Sequence, residues 1–207
     1  MSKKLKIIIS ILVIILLFLI AVGIFWWKKN TIENYFELKE VERIFAPAKD
    51  YMIYETPEGK FIENKKDGLK AEVPENWKVE IGMDMFGLES ERNVTLYSSD
   101  FSYRPLQGCL IEIQINRVKN EREEKGFLIR NVEEVKRDIV LSKENKLPNL
   151  EVISINQKEA LKKTLEPEKH VLVEFPTEER VYSFEAILFS DECKQDFNKF
   201  LETISIQ

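Results

Sequence analysis

"DGLKAEVPENWKVEIG", residues 67–82, runs through one apolar–polar alternation, turns, and begins a second. Leu69, Ala71 and Val73 fall on one face and Lys70 and Glu72 on the other. After 74–76 the pattern resumes with Trp77, Val79 and Ile81. Side chains along a strand alternate with period two, so each half predicts a half-buried strand, and Pro74 marks the corner between them. Trp77, the bulkiest of the inward set, is expected to anchor a core.

Working outward, the same criterion places strands at 94–97, 108–118, 150–156, 170–175 and 181–189. The last carries Tyr182, Phe184, Ala186 and Leu188 on one face and Ile187 and Phe189 on the other, which predicts a central position. Two segments change to helical spacing. Leu128, Val132, Val135 and Ile139 recur ahead of Pro148, and Cys193, Phe197, Phe200, Leu201 and Ile204 form one stripe behind a cap at Ser190 or Asp191. The expected fold is therefore α+β: an antiparallel sheet flanked by helices as an α/β/α sandwich.

Ahead of this domain, residues 7–27 carry no charge and one weakly polar residue, Ser10. A helix of that length spans roughly 30 Å, the thickness of a bilayer's hydrocarbon core. Trp26 and Trp27, followed by Lys28 and Lys29, have the makeup of an interfacial belt. Ala21 and Gly23 meet the small-residue requirement of a signal-peptidase site, but the apolar run overshoots a signal-peptide core, so an uncleaved anchor is expected. The organisation so read is a cytoplasmic tail and transmembrane signal anchor over 1–30, a helical stalk or linker over 31–49, and a folded domain over 50–207. That placement makes the protein single-pass in the cell membrane, its amino terminus cytoplasmic and its domain extracytoplasmic.

Charge narrows the partners. The chain has 31 basic and 36 acidic residues; five lysines and no acid fall in 1–30, which leaves 26 against 36, or −10, for the remainder. Nucleic-acid binding requires clustered Lys and Arg to displace counterions, so nucleic acid is excluded as the expected partner.

The run "GLKAEVPENWKVE", with "RVYSFEAILFS" and the final "CKQDFNKFLETISI", resembles the PsbP-like family of α/β/α sandwich domains over about residues 50–207. The likeness rests on Pro74 and Trp77 in the family's Pro-x-x-Trp pattern and on a Tyr-bearing strand before a Phe-rich last helix. Leu69 departs from it, standing where the family usually has an aromatic residue. The resemblance implies a non-catalytic domain that docks on other proteins.

Cys109 shares parity with Ile111, Ile113 and Ile115, and Cys193 lies on the apolar stripe of the last helix, so both thiols face inward. Two readings stay open: a disulfide across an external domain, or two buried cysteines acting as small hydrophobes. The loop "GMDMFGLESE" places Met83, Met85, Phe86 and Leu88 between glycines, either as an adaptable partner-contact patch or as a flap closing the core. His170 is the single histidine and no nucleophile motif accompanies it, so no catalytic residue is assigned. No metal-ligand spacing occurs, and no cofactor is implied. Asn93-Val94-Thr95 matches a glycosylation acceptor. The expected role is a protein-binding module of the cell envelope, bound to the bilayer through 7–27; the rivals are an envelope hydrolase and a carrier of small apolar ligands.

Overall fold

The computed structural model describes residues 43–103, 105–118, 130–144, 147, 150–165 and 169–207. They belong to one compact unit, Glu42–Gln207. The elements are β1 (Met52–Thr56), β2 (Gly59–Asn64), β3 (Leu69–Glu72), β4 (Lys78–Met83), β5 (Glu89–Tyr97), β6 (Ser102–Tyr103), β7 (Leu106–Gln107) and β8 (Cys109–Asn116). Then come α1 (Val132–Lys143), β9 (Leu150–Ile155), β10 (Lys158–Leu165), β11 (His170–Pro176), β12 (Val181–Leu188), α2 (Asp191–Thr203) and β13 (Ser205–Ile206).

The strands form two main antiparallel sheets. The larger has the order β4-β5-β8-β12-β11-β10-β9, with β12 the fourth of seven, and the smaller β1-β2-β3-β13; β6 and β7 make a separate short hairpin. The corner at 74–76 does not join neighbours. It carries the chain from β3 in the smaller sheet to β4 at the edge of the larger, with Asn76 at φ +64°, a left-handed conformation that asparagine tolerates better than most residues.

One face of the larger sheet is covered by Ile62, Leu69 and Ala71 of the smaller sheet together with Cys193, Phe197 and Phe200 of α2, around a centre of Ile111, Ile113 and Phe184. Phe184 sits at right angles to Phe175, their ring centroids 6.1 Å apart. The opposite face receives α1, where Val132, Val135 and Ile139 pack on Leu161 and Val181. Asn131 and Glu134 start that helix as a reciprocal capping box, and Ser190 caps α2 by accepting from the Cys193 amide.

This corrects the α/β/α sandwich. Strands dominate, and the layer beneath the larger sheet is a second antiparallel sheet with one helix. The physical reason lies in segments whose outer faces meet water and so need few apolar residues. In β1 and β2 only Ile62 and Asn64 are buried, and in lysine-rich β10 only Ala160 and Leu161.

The single-pass membrane placement is corrected as well. Among the described residues no helix is long and apolar enough to cross a membrane. α1 and α2 have 12 and 13 residues, about 20 Å at most against a hydrocarbon core of roughly 30 Å. Residues 7–27, with Trp26, Trp27, Lys28 and Lys29, lie outside the described residues, as does most of the expected stalk. Residues 44–46 are part of the fold: the Ala46 amide donates to the Ile115 carbonyl at 2.9 Å, and the Arg117 amide to that of Ile44 at 2.7 Å.

Two charge clusters lock the layers. The Asp67 side chain, fully shielded from solvent, receives Arg117 in a bidentate pair at 2.8 and 2.6 Å and the Nε of Arg180 at 3.0 Å. The Tyr182 hydroxyl donates to the Asp67 carbonyl. Arg130 likewise bridges Glu174 at 3.0 Å and Asp138 at 2.8 Å, tying α1 to β11. Trp77, 4% exposed, donates from Nε1 to Asp196 of α2 at 3.2 Å. Trp77→Phe keeps most of the buried ring but removes that donor, so a loss of about 2 kcal/mol is expected in urea unfolding at unchanged slope.

Candidate functional site

The β4–β5 hairpin ends in a tight, self-bonded turn. Asp84 Oδ1 accepts the amides of Phe86 and Leu88, each at 2.9 Å, while the Asp84 amide donates to the Leu88 carbonyl at 2.9 Å. Gly87 has φ +75°, and a Cβ there would come within 3.2 Å of the Tyr103 ring, so glycine serves both the backbone and the close approach. The turn is fastened to the sheet at two points. The Thr95 hydroxyl donates to the Met83 carbonyl at 2.7 Å, and the Met85 amide donates to Glu112 Oε2 at 2.6 Å.

This arrangement splits the four apolar residues of the loop. Met85 turns inward at 8% exposure and Met83 is half-buried, whereas Phe86 is 72% exposed and Leu88 63%. Tyr103, 42% exposed, lies against Gly87 and meets Phe101 edge to face at 4.8 Å; Phe101 in turn lies 5.8 Å from Tyr97. The result is an apolar, aromatic tip on a turn closed by its own hydrogen bonds.

Carboxylates surround it. Tyr103 is raised above its ordinary value by burial first and then by Glu80, Asp84 and Glu112. The Tyr97 hydroxyl donates to Glu80 and is pushed up to about 12, by burial and then by that bond. Glu112, 8% exposed, is pushed up to about 7 chiefly by burial; the Met85 amide opposes the rise, and the like charges of Glu185 and Asp84 add to it. Across the sheet Glu112 faces Thr95 on β5 and Glu185 on β12, and Glu185 contacts His170 Nε2 at 2.5 Å.

Cys109 and Cys193 are joined in a disulfide with their Cα atoms 5.4 Å apart. Asn93 is 5% exposed inside β5, which removes the glycosylation acceptor from the surface of the folded chain. Among the described residues no group of three or more His, Cys, Asp or Glu is arranged to hold a metal ion. A groove of about 540 Å³ elsewhere is lined by apolar Ile139, Val140 and Pro176 and by charged residues that include Lys136, Lys158 and Glu159. The sequence reading missed Tyr103 and Glu112. Tyr103 belongs to a two-residue strand too short to show alternation, and Glu112 interrupts an isoleucine run on the side that reads as solvent-facing.

No family model matches the chain, and no curated protein matches it. Among solved structures, a Bacteroides thetaiotaomicron VPI-5482 protein determined at 1.50 Å is similar over 68% of this chain, with 11% identity and a TM-score of 0.42. The match covers 45% of that protein, so this chain spans less than half its length.

Proposed function

We propose that the domain is a non-catalytic module that grips a protein partner through Phe86, Leu88 and Tyr103. The observation that carries this reading is Phe86, 72% exposed at the head of a turn held by its own hydrogen bonds. A large side chain carried on a backbone already held by hydrogen bonds costs little backbone ordering on binding, and its removal from water yields roughly 1.5–3 kcal/mol. The nearby Asp84 and Glu80 favour a partner that sets Lys or Arg around an apolar anchor.

The hydrolase reading has one point in its favour, because Glu112 titrates where a general acid or base works. That carboxylate is buried and already accepts the Met85 amide, however, which leaves it closed to a substrate bond.

A photo-crosslinking residue placed at position 86 of the full chain, in the cells that make it, tests the proposal. A discrete adduct is expected from position 86 and not from exposed position 202. Leu88→Ser is expected to weaken it about tenfold, in line with the loss of one apolar anchor. The melting temperature should stay within about 1 °C, since exposed substitutions are near neutral. Equal adducts from 86 and 202, or none from 86, would overturn the reading.

A further inference from the structure

We propose that β1 is an assembly edge: it pairs antiparallel with β1 of a second copy of this chain, about a twofold axis at Ile53, and so joins two smaller sheets into one. The inference concerns the smaller sheet and does not rest on the reading of the 83–88 turn.

The outermost strand of a sheet presents main-chain donors and acceptors that template further pairing, and proteins blunt such edges with bulges, charges, short strands or a cover. Three of the four edges of the two main sheets are blunted in this way. β4 carries Lys78 and Glu80 and a register shift between Ile81 and Met83. At β9, Ser142 of α1 donates to the Leu150 carbonyl at 2.7 Å, and Glu151 follows. β13 has two residues, the Lys158 ammonium holds its Ile206 carbonyl at 2.7 Å, and Asn156 holds that of Ile204 just ahead at 2.6 Å. β1 is the exception. Its five residues, Met52–Thr56, contain no proline, lysine or arginine and keep an unshifted register with β2, and among the described residues no strand pairs with its outer side.

The hydrogen-bonding parity of that outer side follows from the hairpin. Thr56 stands opposite Gly59 across a two-residue loop, and residues flanking such a loop form a bonded pair, after which bonded and unbonded pairs alternate. Tyr54 and Met52 therefore bond inward to β2, while the amides and carbonyls of Ile53 and Glu55 face outward. Lys60, opposite Glu55, obeys the same parity from the other strand, since its carbonyl turns away from β1 to accept the Val73 amide at 2.8 Å. The next outward amide, that of Tyr51, is already given to the Ala48 carbonyl at 3.1 Å. A twofold axis at Ile53 lets the two copies of that residue exchange both of their bonds, and it brings each Glu55 amide to the second copy's Tyr51 carbonyl.

The side chains select a second copy as the occupant. Met52 is 44% exposed and Ile53 37%, on opposite faces of the strand. In this register Ile53 lies against its own counterpart. Met52 lies against the second copy's Tyr54, a ring that already stacks on Phe61 with centroids 5.7 Å apart, and a methionine sulfur packs favourably on an aromatic ring. Each exposed apolar side chain thus finds an apolar match within β1 itself. The single charge of the strand is kept from its like: the two copies of Glu55 stand about 13 Å apart or more, whereas an axis at Glu55 would set two carboxylates directly opposite, a destabilising pair.

Cysteine crosslinking of the full chain, in the cells that make it, tests the register. The native cysteines are bonded to each other and buried at 6% and 1% exposure, so an introduced thiol has no native thiol to compete with it. Residues in a bonded antiparallel pair have Cα atoms about 5.5 Å apart, inside the roughly 4.4–6.8 Å that a disulfide spans. Under mild oxidation Ile53→Cys is therefore expected to give a reducible dimer, and Glu55→Cys at least about tenfold less, its Cα atoms lying beyond that reach. Adding Met52→Lys to Ile53→Cys is expected to lower the dimer yield about tenfold, as a lysine placed on an open edge opposes pairing. Both positions are exposed, so the fold is retained. No dimer from position 53, an equal yield from position 55, or a yield that Met52→Lys leaves unchanged overturns the assembly edge.

Discussion

Replacing Asp67 with Asn is expected to cost about 3–5 kcal/mol, because the change leaves two guanidinium groups gathered around a neutral amide. The Asp67 side chain is wholly buried, and Arg117 and Arg180 converge on it from β8's end and from just ahead of β12. Burial on its own would raise this carboxyl. The hydrogen bonds from Arg117 and then Arg180 outweigh it and hold the group below its ordinary 3.8. A depressed acid stabilises the fold above its unfolded value and loses that contribution as pH falls through the folded one. The wild type should thus lose stability below about pH 3.8, and Asp67→Asn should show a shallower acid limb. Glu112 acts in the opposite sense: its folded value of about 7 lies above 4.5, so its contribution is present below 4.5 and lost as pH rises through 7. Together they place the stability maximum near pH 4–5 as far as these two groups decide it. Urea midpoints at pH 3, 5 and 8 check all three statements. An Asp67→Asn midpoint equal to wild type at pH 5 would show that the Arg pair contributes nothing.

Breaking the Cys109–Cys193 bridge is the second large effect. It closes a separation of 84 residues, for which the chain-entropy account gives about 4–5 kcal/mol. Both sulfurs lie in the core, at 6% and 1% exposure, and the bridge ties the larger sheet to α2. Cys109→Ala with Cys193→Ala should therefore lower the melting temperature by roughly 10–20 °C for a domain of this size. Reduction with excess thiol under mild denaturant should reproduce the shift. A loss under about 3 °C in both experiments would mean that core packing alone holds these layers.

How far the sequence was legible differs from element to element. β3, β8, β12 and α2 stood out because each presents a full apolar face to the centre: Leu69 and Ala71, Ile111 to Ile115, Tyr182 to Leu188, Phe197 to Leu201. β1, β2 and β10 did not, since a strand in an outer layer satisfies its one dry side with one or two residues. Which sheet β3 and β4 each join was hidden for a different reason. Alternation says which way side chains point, not which sheet they join, and the 74–76 corner changes sheets. At the site, Phe86 and Leu88 were visible by residue type, but their outward aim was not. The register shift between Ile81 and Met83 resets the parity, turning Met85 in and Phe86 out. Glu112 was hidden because its burial comes from the turn above it, a tertiary contact that no local pattern records.

β3 pairs antiparallel with β2 on one side and with β13 on the other, where Ser205 stands opposite Lys70 and Ile206 opposite Leu69. The smaller sheet is begun by the opening segment of the domain and sealed by the closing one. The β1–β2 hairpin forms from neighbours in the chain, but its third and fourth strands must meet across nearly the whole domain. Refolding should accordingly be slow for the size, with an early local hairpin and a late long-range seal, as high contact order dictates.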